Sequence, residues 1–208
     1  MRIAVFGGTG RVGRRVIDYA LAERHEVIAL VRDPSNCGAP VMGLTLRGGD
    51  VLESTAVAEV VRGADAVISA LGGAGLAAPG QAISGGMRNI VAAVREQGGG
   101  RVLAVAGSGV LDAAEGGLRM DAPGFPEIYR AISEEHRGTF DALRASDLDW
   151  TLACCPDLVD GARTDHFRQL ADQLPLGGAS ISVQDVASFL LREAWQRQFV
   201  RRRVAIAY

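Results

Sequence analysis

The chain has 208 residues, 48% of them hydrophobic, with 27 glycines and a formal net charge of −2; all 22 of its cationic residues are arginine and none is lysine. Without lysine there is no Schiff-base chemistry, no P-loop or protein-kinase phosphate lysine, and no Ser-x-x-Lys or Tyr-x-x-x-Lys pair. Arginine does not substitute where a proton must be exchanged, because its pKa stays above ~12.

Read in chain order, short apolar runs alternate with longer periodic segments. The predicted strands are Arg2–Phe6, Glu26–Val31, Leu44–Arg47, Ala66–Ala70, Val102–Ala106, Trp150–Ala153 and one near Val204–Ala207. Helices are predicted near Val12–Ala22, Ser54–Val61, Gln81–Gln97, Glu127–Ala145 and Val183–Arg197. Ile83, Met87, Ile90, Val91 and Val94 recur at three- and four-residue steps, the period of an amphipathic helix. Apolar strands alternating with helices predict an α/β fold: one Rossmann-like, doubly wound, mostly parallel sheet with helices on both faces. Residues 1–208 read as a single domain. Two segments rich in Gly, Pro and Asp, Gly107–Pro126 and Asp157–Ser180, follow strands and are expected to be substrate-binding loops.

Other features set milder bounds. The near-neutral charge gives no basic face for nucleic acid. No run of 18 uncharged apolar residues is present, so no membrane span is expected. Cys37, Cys154 and Cys155 have no disulfide-framework spacing and point to a reducing, cytoplasmic setting. His25, His136 and His166 are scattered, so no metal site is read. Arg201-Arg202-Arg203 reads as a solvated helix end and strand entrance.

The chemistry-bearing signal is Gly7-Gly8-Thr9-Gly10-Arg11-Val12-Gly13, directly after the first strand and opening the first helix. Glycines there let the backbone approach a pyrophosphate, and the helix N-terminus offers it free N–H groups and partial positive charge. The second strand ends in Arg32-Asp33: a guanidinium suits a 2′-phosphate, whereas an acid at that end would accept from a ribose 2′-OH. Arg32 comes first, so NADP(H) is favoured over NAD(H). Asp50 and Val51 after the third strand suit an adenine, with helix capping as the alternative role of Asp50. Leu71 and Gly72 follow the fourth strand, and Ala106, Gly107 and Ser108 end the fifth, where Ser108 places a hydroxyl near the crevice.

The order GGTGRVG, VRDPSN, GGDVL, AVISALGG, GGMRNIVAAVREQGGGRVLAVAGS and EEHRGTFDALRASDLDWTLACCPDLV resembles the atypical short-chain dehydrogenase/reductases called NAD(P)H-binding or NmrA-like. Within them it is most similar to the biliverdin-IXβ reductase/flavin reductase branch. The resemblance implies NADP(H) binding and hydride transfer to a flavin, quinone or similar flat conjugated acceptor, with flavin as substrate. It implies that Gly7, Thr9, Gly10, Arg11, Val12 and Gly13 hold the pyrophosphate and Arg32 the 2′-phosphate. Asp50 and Val51 would meet adenine, Leu71 and Gly72 the ribose side, and Ala106, Ser108 and Pro156 the nicotinamide. Two departures stand out: Asp157 replaces a histidine of the branch, and Asn36 stands where it has a second arginine.

Tyr129 has Ser133 four residues later instead of lysine, so a tyrosine–lysine dehydrogenase is excluded. His136 lies where the branch has a histidine, either contacting an acidic substrate or sitting on a helix surface. The catalytic candidates are therefore Ser108, orienting carboxamide or acceptor, and Asp157, shaping the acceptor side. The alternatives are a non-catalytic NADP-binding sensor or regulator and a specialised biosynthetic reductase or isomerase. The expected partner is a small-molecule acceptor, for a monomer or small homo-oligomer.

Overall fold

The computed structural model describes residues 1–208. Eight strands form one sheet in the order β3-β2-β1-β4-β5-β6-β10-β8. They are β1 (Arg2–Phe6), β2 (Glu26–Val31), β3 (Leu44–Gly48), β4 (Ala66–Ser69), β5 (Arg101–Gly107), β6 (Asp149–Cys155), β8 (Arg168–Ala171) and β10 (Arg202–Ala207). All neighbours are parallel except β8, which runs antiparallel along β10. The apolar strand sequences have their physical reason here: β1, β4 and β5 carry side chains buried on both faces of the sheet.

Helices α1 (Arg11–Ala22) and α5 (Val183–Gln196) cover one face. Helices α2 (Ser54–Val61), α3 (Ala82–Glu96) and α4 (Arg130–Arg144) cover the other. The predicted helix from Glu127 begins instead with a 3-10 turn, Glu127–Tyr129, and becomes α-helical at Arg130. Strand order reverses at β1, which pairs with β2 on one side and β4 on the other. The crevice above the carboxyl ends of β1 and β4 is therefore the ligand position of a doubly wound sheet.

Residues 157–180 depart from the loop expected there. They contain β7 (Asp157–Val159), edge strand β8 and the start of β9 (Ser180–Ser182), and β7 pairs with β9. Asp185, at the N-terminus of α5, fastens the stretch between them. Its carboxylate accepts from the Thr164 N–H and hydroxyl, each at 2.8 Å, the Asp165 N–H at 2.8 Å and the Tyr208 hydroxyl at 2.6 Å. The segment is pinned to the body instead of hanging over it.

The arginine triplet is also more than a solvated strand entrance. Arg203 is buried, donates to the Val110 carbonyl and Asp112 at 2.7 Å each, reaches Asp172 at 3.3 Å, and lies over the Phe140 ring. It thereby ties the segment after β5 to the far edge of the sheet. Arg101 and Glu193 form a second buried pair, at 2.7 Å, with Thr151.

Candidate functional site

The turn after β1 is built by close approach. A Cβ on Gly7 would overlap the Ala70 carbonyl, and one on Gly13 would overlap the Gly7 carbonyl. Gly7 also holds φ +80°, a left-handed conformation that favours glycine. The Gly10 N–H donates to the Gly7 carbonyl at 3.0 Å, and the helical ladder begins with Arg14 N–H to Gly10 at 3.1 Å. The N–H groups of Arg11, Val12 and Gly13 consequently have no protein acceptor, and neither a side-chain cap nor an acidic residue occupies the first turn of α1. Open N–H groups, the helix dipole and glycine-cleared backbone together fit a diphosphate.

Arg32 and Asp33 play different parts at the end of β2. The Asp33 carboxylate is spent on its own turn, accepting from the Ser35 N–H at 2.9 Å, the Ser35 hydroxyl at 2.6 Å and Asn36 Nδ2 at 2.6 Å. These bonds, the Ser35 hydroxyl first, hold its pKa below the ordinary value. Arg32 is exposed and makes no ion pair or side-chain hydrogen bond. The free group at this position is a cation. Asn36 braces Asp33.

Asp50 turns the chain after β3 by accepting from the Leu52 N–H at 2.9 Å; it does not cap α2, whose N-cap is Glu53. Val51 is buried beneath α3, where a Cβ on Gly86 would lie 2.7 Å from Val51 and 2.9 Å from Leu71. A Cβ on Gly85 would likewise lie 2.7 Å from Leu52. Asn89 Nδ2 completes this seat by donating to the Val51 carbonyl at 2.9 Å. Gly85, Gly86 and Asn89 thereby join the Val51 seat although no motif marks them as site residues. Two adjacent glycines inside a helix, each costing about 1 kcal/mol, were the available signal of close packing.

Gly107 ends β5, and Ser108 opens a 3-10 turn beside Ala106, with its hydroxyl free of any protein partner. Pro156 and Asp157 follow β6, which is paired to β5 as far as Gly107↔Cys155, so they stand beside the Ser108 turn. Asp157 is exposed, and its N–H donates to the Ala179 carbonyl at 3.2 Å. Leu71 is half-buried and Gly72 exposed at the end of β4. Thr9 is exposed on the turn, and Arg11 crosses the crevice to the Leu158 carbonyl at 3.3 Å and Asp160 at 3.7 Å. Tyr129 is half-buried and its hydroxyl makes no hydrogen bond. The glycine turn, Leu71, Ala106, Ser108, Pro156 and Asp157 thus stand at the carboxyl ends of β1, β4, β5 and β6, while Arg32, Asp50 and Val51 follow β2 and β3 on the same edge of the sheet.

His136, left open between a substrate contact and a surface-helix position, is half-buried on α4. Its Nδ1 accepts from the Gly107 N–H at 3.0 Å, and burial lowers its pKa to about 4, with Glu135 acting weakly in the other direction. Glu135 itself accepts from the Ser84 N–H and hydroxyl at 3.0 Å each, bracing α4 against the first turn of α3. The thiols of Cys154 and Cys155 are buried in β6, and burial pushes both pKa values up, which leaves them unreactive.

A doubly wound sheet with an open glycine-rich helix N-terminus at its switch point defines a dinucleotide-binding protein. The chain belongs to the NAD(P)H-binding family, whose model matches residues 7–195. It is 30% identical over 204 residues to the uncharacterized protein YwnB of Bacillus subtilis, covering 93% of this chain and 92% of that one. A solved structure from Burkholderia pseudomallei, described as a proposed exported protein, has 32% identity and a TM-score of 0.84 over the whole of both chains. The anaerobilin reductase ChuY of Escherichia coli O157:H7 shares the fold at TM-score 0.79 and 22% identity, over 100% of this chain and 97% of ChuY. No helix is long and apolar enough to cross a membrane.

Proposed function

We propose that this chain is an NADPH-dependent reductase that passes hydride to a flat conjugated acceptor such as a flavin or quinone. The reading rests on the pairing of an open diphosphate cradle with an unengaged Arg32, beside an Asp33 whose oxygens are already taken. Arg11, Val12 and Gly13 would hold the diphosphate through backbone N–H groups, and Arg32 the 2′-phosphate. Asp50, Val51 and Leu71 would seat the adenosine, with Ala106 and Pro156 beside the nicotinamide. Bound NADPH supplies a hydride, and this chain has only to hold acceptor and donor in register and exclude water.

No lysine is required for that chemistry, and the Ser108 hydroxyl is free to orient an acceptor. Leu76, on the segment after β4, and Ile128, just before α4, are 44% and 60% exposed, and Gly73 of the first segment lies against Pro79 and against Ile132 of α4. An apolar rim of this kind suits a flat aromatic acceptor. The same reading places the chain in the cytoplasm, where its three cysteines stay reduced. The partner is a small molecule, and the protein is a monomer or small homo-oligomer.

The test is to incubate the protein with NADPH and, in turn, FMN, riboflavin and simple quinones, following loss of reduced-cofactor absorbance. Turnover with at least one acceptor is expected. Saturable NADPH binding without oxidation by any of them would instead make the chain a cofactor-binding sensor.

A further inference from the structure

Strand β8 ends the sheet with one side unpaired. It lies antiparallel to β10, with Leu170 opposite Ala205 and Ala171 opposite Val204, and the Asp172 N–H donates to the Arg203 carbonyl at 2.8 Å. Bonded and unbonded pairs alternate along such a ladder, so the main-chain groups of Arg168 and Leu170 face β10 while those of Gln169 and Ala171 face outward. No turn or loop of the protein bonds to the outward groups. Edges are commonly guarded by lysine, proline or an outstretched charge. Here there is neither lysine nor proline, and the one charge, Arg168, is folded back onto the Leu176 carbonyl at 2.6 Å and the Tyr208 carbonyl. Leu170 is 42% exposed on the strand, and Leu176, on the turn that follows, is 95% exposed.

We propose that β8 is the interface of a homodimer, in which a second copy of this chain adds its own β8 antiparallel across a two-fold axis at Leu170. The register follows from which groups face outward. With the axis at Leu170, Gln169 of each copy faces Ala171 of the other and both pairs are fully bonded; an axis at Gln169 or at Ala171 leaves only one such pair. Leu170 then meets Leu170 of the other copy in the close, unbonded position, where side chains pack. At the ends of the paired segment Arg168 of each copy comes opposite Asp172 of the other, so unlike charges meet on both sides of the axis. Arg202 and Arg203 already reach Asp172, at 2.7 and 3.3 Å, and a carboxylate accepts up to about four such bonds, so Arg168 joins a cluster with room for it. The surface is separated from β1 and its glycine turn by β4, β5, β6 and β10, and the inference does not depend on the reductase reading.

Sedimentation velocity of the wild-type protein across the micromolar range should show a species of twice the 21.8 kDa chain mass. Gln169→Pro removes an N–H that faces outward, so it spares the ladder to β10 while its ring blocks the second copy. It should sediment as a monomer and keep the wild-type urea midpoint. If the proline disturbs the strand, Leu170→Lys serves instead: it places two like charges face to face at an exposed position and should also give a monomer. Cross-linking tests the register itself. In a Cys37→Ser background, the two thiols of Leu170→Cys meet across the axis, and diamide, reduced to its hydrazine as it takes up their two electrons and two protons, should join them as a disulfide dimer. Met42→Cys, 96% exposed beside the opposite edge strand β3, should stay monomeric under the same treatment. A wild-type protein that is monomeric throughout, a dimer that survives Gln169→Pro or Leu170→Lys, or equal cross-linking of Leu170→Cys and Met42→Cys would each overturn the proposal.

Discussion

The Asp185 carboxylate meets both the N–H and the hydroxyl of Thr164 at 2.8 Å, and so joins the N-terminus of α5 to the segment between β7 and β8. All four groups around this carboxylate donate to it, the Asp165 N–H and Tyr208 hydroxyl being the other two. An amide in its place turns an NH₂ toward donors, so Asp185→Asn should cost about 3 kcal/mol in urea denaturation. Burial alone would raise the Asp185 pKa, but the hydrogen bonds from Tyr208, Asp165 and Thr164 outweigh it and hold the group below its ordinary value. Its contribution is therefore complete above about pH 4 and fades as pH falls through the lower folded value. Equal urea midpoints for Asp185→Asn and the wild type would refute this role.

Gly13 makes a sharper prediction, because the obstruction is backbone. A methyl group there overlaps the Gly7 carbonyl, and neither partner is a flexible side chain. Gly13→Ala should lift α1 from the turn, destabilise the fold by about 2 kcal/mol and weaken NADPH binding at least tenfold. Gly75, whose Cβ would meet nothing within 4 Å, supplies the control: Gly75→Ala should leave both unchanged. Fluorescence titration with NADPH measures the affinities, and an unaffected Gly13→Ala protein would mean that the turn is not the diphosphate seat.

Arg32 decides between cofactors. Since Asp33 is engaged by Ser35 and Asn36, Arg32 is the group left to distinguish a 2′-phosphate from a 2′-hydroxyl. Arg32→Ala should raise the Kd for NADPH about 10- to 100-fold, the worth of one charge-assisted phosphate contact, and that for NADH by less than threefold. Equal losses for the two cofactors would refute the 2′-phosphate assignment.

The parts legible in the sequence are those in which local pattern and tertiary role coincide. Residues of β1 and β2 are buried on both faces, so their apolar runs match the folded strands residue for residue. The glycine turn is legible because close approach admits no other residue. By contrast, Arg168–Ala171 is a four-residue exposed edge strand of half-polar sequence, and Asp157–Val159 and Ser180–Ser182 are three residues each. Their pairing comes from contacts distant in sequence, which periodicity does not encode. Asp185 and Arg203 look like surface charges until the chain brings Thr164 and Asp112 to them. His136 has the same character: nothing in Glu134-Glu135-His136 shows that the ring sits against Gly107.

That burial of His136 can be weighed by acid titration. In the unfolded chain an imidazole takes a proton near pH 6.5, whereas in the fold burial delays it to about pH 4. Between those values the unfolded chain binds a proton that the folded one refuses, so stability rises with pH across the window. The contribution is fully present above pH 6.5 and is lost as pH falls toward 4. Over that range it amounts to about 3 kcal/mol. His136→Asn does not titrate there, so urea denaturation at pH 7.5 and 4.5 should show the wild type losing about 2–3 kcal/mol more than the variant. A parallel decline of the two proteins would mean that the folded imidazole protonates freely. His136 would then be a cation at low pH, and its hold on the Gly107 N–H through Nδ1 would not be maintained.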